Sequence, residues 1–108
     1  MALYLIQAAY TPQALAALAK KPEDREQGAR ALIERAGGKL HSFYYCLGDY
    51  DVIGVYEAPD ATTATAISLA LSSAGHLKAV KTTSLLTSAE GQEGMRKAGS
   101  LTYRGPTG

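Results

Sequence analysis

Lys39-Leu-His-Ser-Phe-Tyr-Tyr-Cys-Leu-Gly-Asp-Tyr-Asp-Val-Ile-Gly-Val-Tyr-Glu-Ala58 is the stretch on which the reading of this chain turns. Two runs rich in β-branched and aromatic residues flank a short Gly/Asp cluster, the pattern of a β-hairpin. Gly48 and the aspartates suit a turn, because glycine tolerates unusual backbone angles and aspartate hydrogen-bonds its own backbone. With Gly48 to Asp51 as the loop, Leu47 opposes Val52, Tyr45 opposes Gly54, Phe43 opposes Tyr56 and His41 opposes Ala58. Side chains alternate faces along a strand, so these residues share one face. Ser42, Tyr44, Cys46, Ile53, Val55 and Glu57 make the other. Apart from its Ser42/Glu57 end, that second face is apolar too. A sheet with one solvated face should alternate apolar and polar residues. The hairpin therefore reads as covered on both sides.

Upstream, Gly37-Gly38 ends a helix in the manner of a C-cap. Ala29, Leu32, Ile33 and Ala36 recur at the spacing of one helical face. Glu23 and Asp24 suit the first turn of that helix. Pro22 separates it from an earlier helix that opens at Thr11-Pro12 and carries Leu15 and Leu18 on one side. The mixed charges from Lys20 to Glu26 read as a solvated face. Before them, Ala2 to Tyr10 is apolar on both faces and reads as a central strand.

Downstream, Pro59-Asp60 starts a helix with Asp60 as its N-cap. From Ala61 to Gly75 that helix holds no charged residue, whereas a surface helix normally shows a charged face. Contact with another subunit is the expectation. Leu77 to Leu86 reads as an edge strand, with Lys78 and Lys81 discouraging further pairing. Thr87 and Glu90 have capping-box spacing for a helix from Ser88 to about Ala98. Ser100 to Gly108 reads as a tail. The order βαββαβ plus a terminal helix predicts an α+β, ferredoxin-like fold. Its antiparallel sheet should have four strands in the order 4-1-3-2. Residues 1–99 form the domain and residues 100–108 the tail.

The 108 residues suffice for one domain with a real core, but layers on both faces of a sheet would strain so short a chain. Eleven Lys and Arg against ten Asp and Glu leave a net charge of +1, which offers nucleic acid no general attraction. One cysteine permits no internal disulfide and fits a reducing compartment. The apolar start is too short for a membrane span or a signal peptide. The expected location is the cytoplasm, with neither nucleic acid nor membrane as a partner.

The Met1-Ala-Leu-Tyr-Leu-Ile-Gln7 start, Gly37-Gly38-Lys39-Leu40, Gly48-Asp49-Tyr50-Asp51-Val52 and Val80-Lys81-Thr82-Thr83 together resemble the GYD domain family, whose Gly, Tyr and Asp correspond to Gly48, Tyr50 and Asp51. The resemblance runs to about Tyr103. It implies a small prokaryotic protein with a fold like the dimeric α+β barrel group, in which two sheets pack across subunits. It implies no particular function. Relatives by fold include cofactor-independent monooxygenases, haem enzymes and stress proteins, so fold alone decides nothing.

The residues carry little overt chemistry. His41, Cys46 and His76 are the softer metal ligands, but His41 and Cys46 fall on opposite faces of a regular strand. No CxxC, HxxxH or HExxH spacing exists. Cys46 among apolar neighbours reads as a small core residue. No metal or cofactor is expected. His41, Phe43, Tyr45 and Tyr56 on one hairpin face, with Tyr50 and Asp51 at the turn, form the candidate ligand-binding group. A small planar ligand would suit them, with Asp51 orienting a tyrosine or accepting a proton. The competing role for the same aromatics is a sheet-to-sheet interface, with Asp51 fixing the turn. Three functions follow: a homo-oligomeric binding or scaffold module, a cofactor-independent oxygenase acting on an aromatic substrate, or a self-assembling structural subunit. The first is preferred, and the chain is expected to partner itself.

Overall fold

The computed structural model describes residues 1–107. Its elements are β1 (Ala2–Tyr10), α1 (Pro12–Lys20), α2 (Arg25–Arg35), β2 (Lys39–Tyr45), β3 (Val52–Ala58), α3 (Ala61–Ser73), β4 (Leu77–Leu85) and α4 (Ser88–Ala98). The four strands form one antiparallel sheet in the order β2-β3-β1-β4. As expected, the two runs that are apolar on both faces, β1 and β3, take the centre.

Local signals in the sequence set the helix ends. Thr11 caps α1 by accepting from the Ala14 amide at 3.1 Å. Asp24 caps α2 through the Glu26 amide at 3.0 Å, and Asp60 caps α3 through the Thr63 amide at 2.8 Å. Thr87 and Glu90 form the full capping box on α4. Helix α2 ends in a Schellman motif: the Gly38 amide donates to the Ile33 carbonyl and the Gly37 amide to the Glu34 carbonyl, both at 2.9 Å. Gly37 takes φ +90°, which a side chain would resist.

One face of the sheet packs against α2 and α3. Tyr4, Leu40, Tyr56 and Ala58 from the strands meet Ile33 of α2 and Ala64 and Ile67 of α3 in the main core. Tyr4 and Tyr56, cross-strand neighbours, stack with ring centres 5.5 Å apart. A smaller cluster of Ala8, Tyr10 and Val52 continues toward the other end of the sheet, packed by Ala14 and Leu18. The contact stripe of α1 is thus Ala14/Leu18, an i, i+4 pair, and Leu15, expected beside Leu18, is exposed.

Among the described residues, no helix packs over the opposite face. Along the strands it presents Leu3, Leu5, Ile53, Val55 and Leu85, half-buried by one another, and Tyr44, 67% exposed. Helix α4 buries none of its residues, and Met95 is 74% exposed. The radius of gyration is 17.5 Å, against about 13 Å for a compact chain of this length. Helix α4 and the exposed tail residues that follow it pack little against the body and extend as an arm.

Two features of the hairpin differ from the sequence reading. The strands end earlier, so Tyr45 opposes Val52 and Phe43 opposes Gly54, a slip of two residues. A slip of two keeps every side chain on its face, so Phe43, Tyr45 and Tyr56 still share one. Between Leu40 and Ser42 the register shifts. The extra residue of this bulge, His41, turns to the other face, and Leu40 takes the place beside Tyr56. Cys46 consequently lies in the loop, not mid-strand. Its amide donates to the Asp51 carbonyl at 2.8 Å and its thiol to the Tyr50 carbonyl at 3.3 Å.

Candidate functional site

The aromatic face of the hairpin is the helix-covered one, and beneath the helices it is not completely filled. A cavity of about 130 Å³ lies between the sheet and helices α2 and α3. Phe43 and Val52 contribute its sheet wall, Ala29 and Leu32 its α2 wall, and Leu71 its α3 wall. The polar side chains on its boundary are Tyr10, Arg25 and His76. Arg25 is half-buried and His76 is exposed, so they mark the solvent side.

Tyr10 is placed by a break in the sheet. The pairing of β1 with β4 shifts register between Ala9 and Tyr10, which frees the Tyr10 amide from the ladder. Asp51 takes it up: the amide donates to Oδ2 at 2.8 Å, and the Asp51 amide donates to the Ala8 carbonyl at 2.9 Å. Asp51 therefore fastens the β2–β3 loop to the end of β1. Burial pushes the Tyr10 phenol above its ordinary value, while the adjacent Arg25 guanidinium pulls it partly back.

The first residue of α2 is tied to the hairpin. The Arg25 amide donates to the Tyr45 hydroxyl at 3.3 Å, and the Tyr45 ring meets Phe43 edge-on with centres 5.5 Å apart. On the outside, Arg25 Nη1 pairs with Glu23 at 3.2 Å.

Of the six residues singled out in the sequence, Phe43, Tyr45 and Asp51 converge on this region: one in the wall, one at the start of α2, one behind Tyr10. Tyr56 sits deeper in the core and is fully buried. The bulge sends His41 to the open face, where its Nε2 lies 3.2 Å from Glu57. Tyr50 stays in the loop. The sheet-to-sheet interface role does not fit Phe43 and Tyr56, because α2 and α3 pack over them, while Tyr45 is 59% exposed at the edge of that face. Sequence reasoning missed Tyr10, Arg25 and the small residues of α2. The available signal was Gly28, a glycine in the middle of a helix three residues after an arginine. Among the described residues, no three His, Cys, Asp or Glu side chains stand together as metal ligands would.

The GYD domain profile matches residues 4–95, which span every strand of the sheet and most of α4. The chain belongs to the GYD domain family. This GYD-domain protein also has structural neighbours. The crystal structure of MtbAldR superposes with TM-score 0.57 at 18% identity, covering 80% of this chain and 52% of MtbAldR. The GYD chain thus spans about half the length of that protein. An uncharacterized NIPSNAP domain protein from Burkholderia xenovorans superposes with TM-score 0.51 at 14% identity, covering 82% and 96% of the two chains. At such identities the likeness is one of fold alone, an α+β, ferredoxin-like one. No curated protein matches the sequence. No helix among the described residues is long and apolar enough to cross a membrane.

Proposed function

We propose that this GYD-domain protein is a homo-oligomeric binding and scaffold module, working in the cytoplasm and without catalysis. The observation that carries the reading is the helix-free face of the sheet. Leu3 and Leu85 are cross-strand partners there, as are Leu5 and Val55, and Tyr44 and Ile53. Together they form a continuous apolar band across all four strands. Monomeric soluble proteins rarely expose a contiguous apolar patch beyond about 300–600 Å². A second copy presenting the same band across a two-fold axis is the simplest cover, and about 800 Å² buried per subunit makes a stable interface. The uncharged outer side of α3 and the standing arm of α4 supply further surface for assembly beyond a dimer. A reducing compartment suits Cys46, a free thiol. The binding side of the reading rests on the cavity, which Phe43 lines, with Tyr45 held to the Arg25 amide and Asp51 to the Tyr10 amide beside it.

Sedimentation at micromolar concentration tests the association. The expected mass is a multiple of 11.4 kDa, and Val55→Lys, which sets a charge in the middle of the band, should lower it. A folded 11.4 kDa species for the unsubstituted chain would overturn the reading.

A further inference from the structure

We propose that the cavity between the sheet and helices α2 and α3 binds a small apolar monocarboxylate, with the hydrocarbon end against Phe43, Leu32 and Leu71 and the carboxylate on Arg25 and the Tyr10 hydroxyl. The proposal rests on the reading of the protein as a binding module and names what it binds.

Size comes first. The volume of about 130 Å³ is close to the roughly 150 Å³ of an apolar protein cavity that holds benzene. One ring or one short branched chain fits that volume. The walls then select for hydrocarbon, since the α2 and α3 sides contribute Ala29, Leu32 and Leu71 and the sheet side Phe43 and Val52. An apolar space of this kind, with a few polar groups gathered at one end, is how small-molecule sites are generally built.

The polar end selects for an anion. Arg25 is the permanently charged side chain on the boundary, and a guanidinium matches a carboxylate with paired N–H donors. Its link to Glu23 uses Nη1 and is solvent-exposed, so it is worth little and leaves other donors free. Asp51, the carboxylate behind Tyr10, has its Oδ2 already engaged by the Tyr10 amide.

Gly28 supplies an independent argument. A glycine inside a helix costs about 1 kcal/mol relative to alanine, so its place in α2 calls for a reason. A Cβ built there would stand 3.2 Å from Arg25 Nη2 and 3.5 Å from Cζ. The missing methyl leaves room for the guanidinium to lie along α2 beside Gly28, and both residues line the cavity. An ordinary exposed ion pair gives no such reason to forgo helix stability.

Isothermal titration calorimetry on the full chain tests the proposal, with sodium benzoate as the acid and benzyl alcohol as its uncharged counterpart. Benzoate should bind saturably, one per chain, and more tightly than benzyl alcohol. Arg25→Gln should weaken benzoate by about tenfold or more while leaving benzyl alcohol nearly unchanged. Gly28→Ala should act in the same direction by displacing the guanidinium. Ala29→Leu, which fills the space, should abolish both. Circular dichroism on each variant confirms that it is folded, and Arg25→Gln, at a half-exposed position, carries the test if a cavity variant does not fold. Equal binding of benzoate and benzyl alcohol, or benzoate binding untouched by Arg25→Gln, would overturn the carboxylate proposal and leave the binding module standing. No saturable binding of either probe at millimolar concentration would overturn both.

Discussion

Tyr56→Phe should make this protein more stable. Tyr56 is 0% exposed, and its hydroxyl has no hydrogen-bond partner among the described residues. Burial pushes its phenol above the ordinary value of 10.0, with Tyr4 adding to the effect. A buried polar group left unpaired costs about 1–3 kcal/mol. Phenylalanine removes that group and keeps the ring stacked on Tyr4. The space left by one oxygen, roughly 10–15 Å³ at about 24 cal/mol per Å³, takes back only about 0.3 kcal/mol. A net gain of about 1–2 kcal/mol follows, or about 4 °C or more in melting temperature. Urea unfolding at fixed protein concentration measures it, as a higher midpoint with an unchanged slope. A second signature lies in alkali. A phenol whose folded pKa is raised contributes stability that is fully present below its unfolded value and is lost as pH rises through the folded one. The unsubstituted chain should therefore lose more stability above about pH 10 than Tyr56→Phe does. A destabilisation of about 1 kcal/mol or more would refute the reasoning, because it would mean that the hydroxyl is bonded, through a buried water or otherwise.

Other substitutions probe the joints of the fold. Asp51→Ala strands the Tyr10 amide at the β1 irregularity and should cost about 1–3 kcal/mol by chemical denaturation; Asp51→Asn keeps an acceptor oxygen and should cost clearly less. Gly38→Ala would drive a Cβ into the Glu57 carbonyl oxygen of the neighbouring strand, backbone that cannot step aside cheaply, so a loss of about 2 kcal/mol or more is expected in the same assay. Acid should loosen helix ends before the sheet. Hydrogen bonds from the Thr63 hydroxyl and amide lower the Asp60 pKa, and bonds from the Thr87 amide and hydroxyl lower that of Glu90. Stability from a carboxylate lowered in this way is present above the ordinary carboxylate range and lost as pH falls through the folded pKa. Far-UV circular dichroism below about pH 4 should show helix loss while tyrosine near-UV signals persist.

What could be read from the sequence was what local chemistry determines. The central strands are those with apolar residues on both faces, and the helix ends are those with a capping oxygen or a glycine pair. The hairpin register was another matter. Gly48, Asp49 and Asp51 all tolerate turn conformations, so composition could not tell a four-residue loop from the longer one the chain adopts. The bulge at His41 has no local mark at all. It is favoured by what it places inward, since it sets Leu40 rather than His41 beside Tyr56. The cavity was out of reach for a different reason. Its walls come from β1, α2, β2, β3, α3 and the start of β4, and only packing brings Tyr10, Arg25 and Phe43 within one space.

The position of that cavity follows from the order of side-chain sizes along α2. Its C-terminal half presents Leu32 and Ile33 to the sheet and helps fill the main core around Tyr4 and Tyr56. Its N-terminal half offers Gly28 and Ala29 on the same side, opposite Phe43 and Val52. Large residues on one partner meet small ones on the other, and the gap opens where the small ones sit. Ala29→Leu should close it. The added carbons bury about 0.8 kcal/mol each at most, less lost rotamer freedom and any strain against Leu32, so a gain of about 1 kcal/mol is expected in urea midpoint, with the sedimentation mass unchanged because the helix-free face is untouched. A destabilisation of about 2 kcal/mol or more would show that the space is already taken up in solution by rearranged side chains. The helix-covered face would then be a complete core with no room for a ligand.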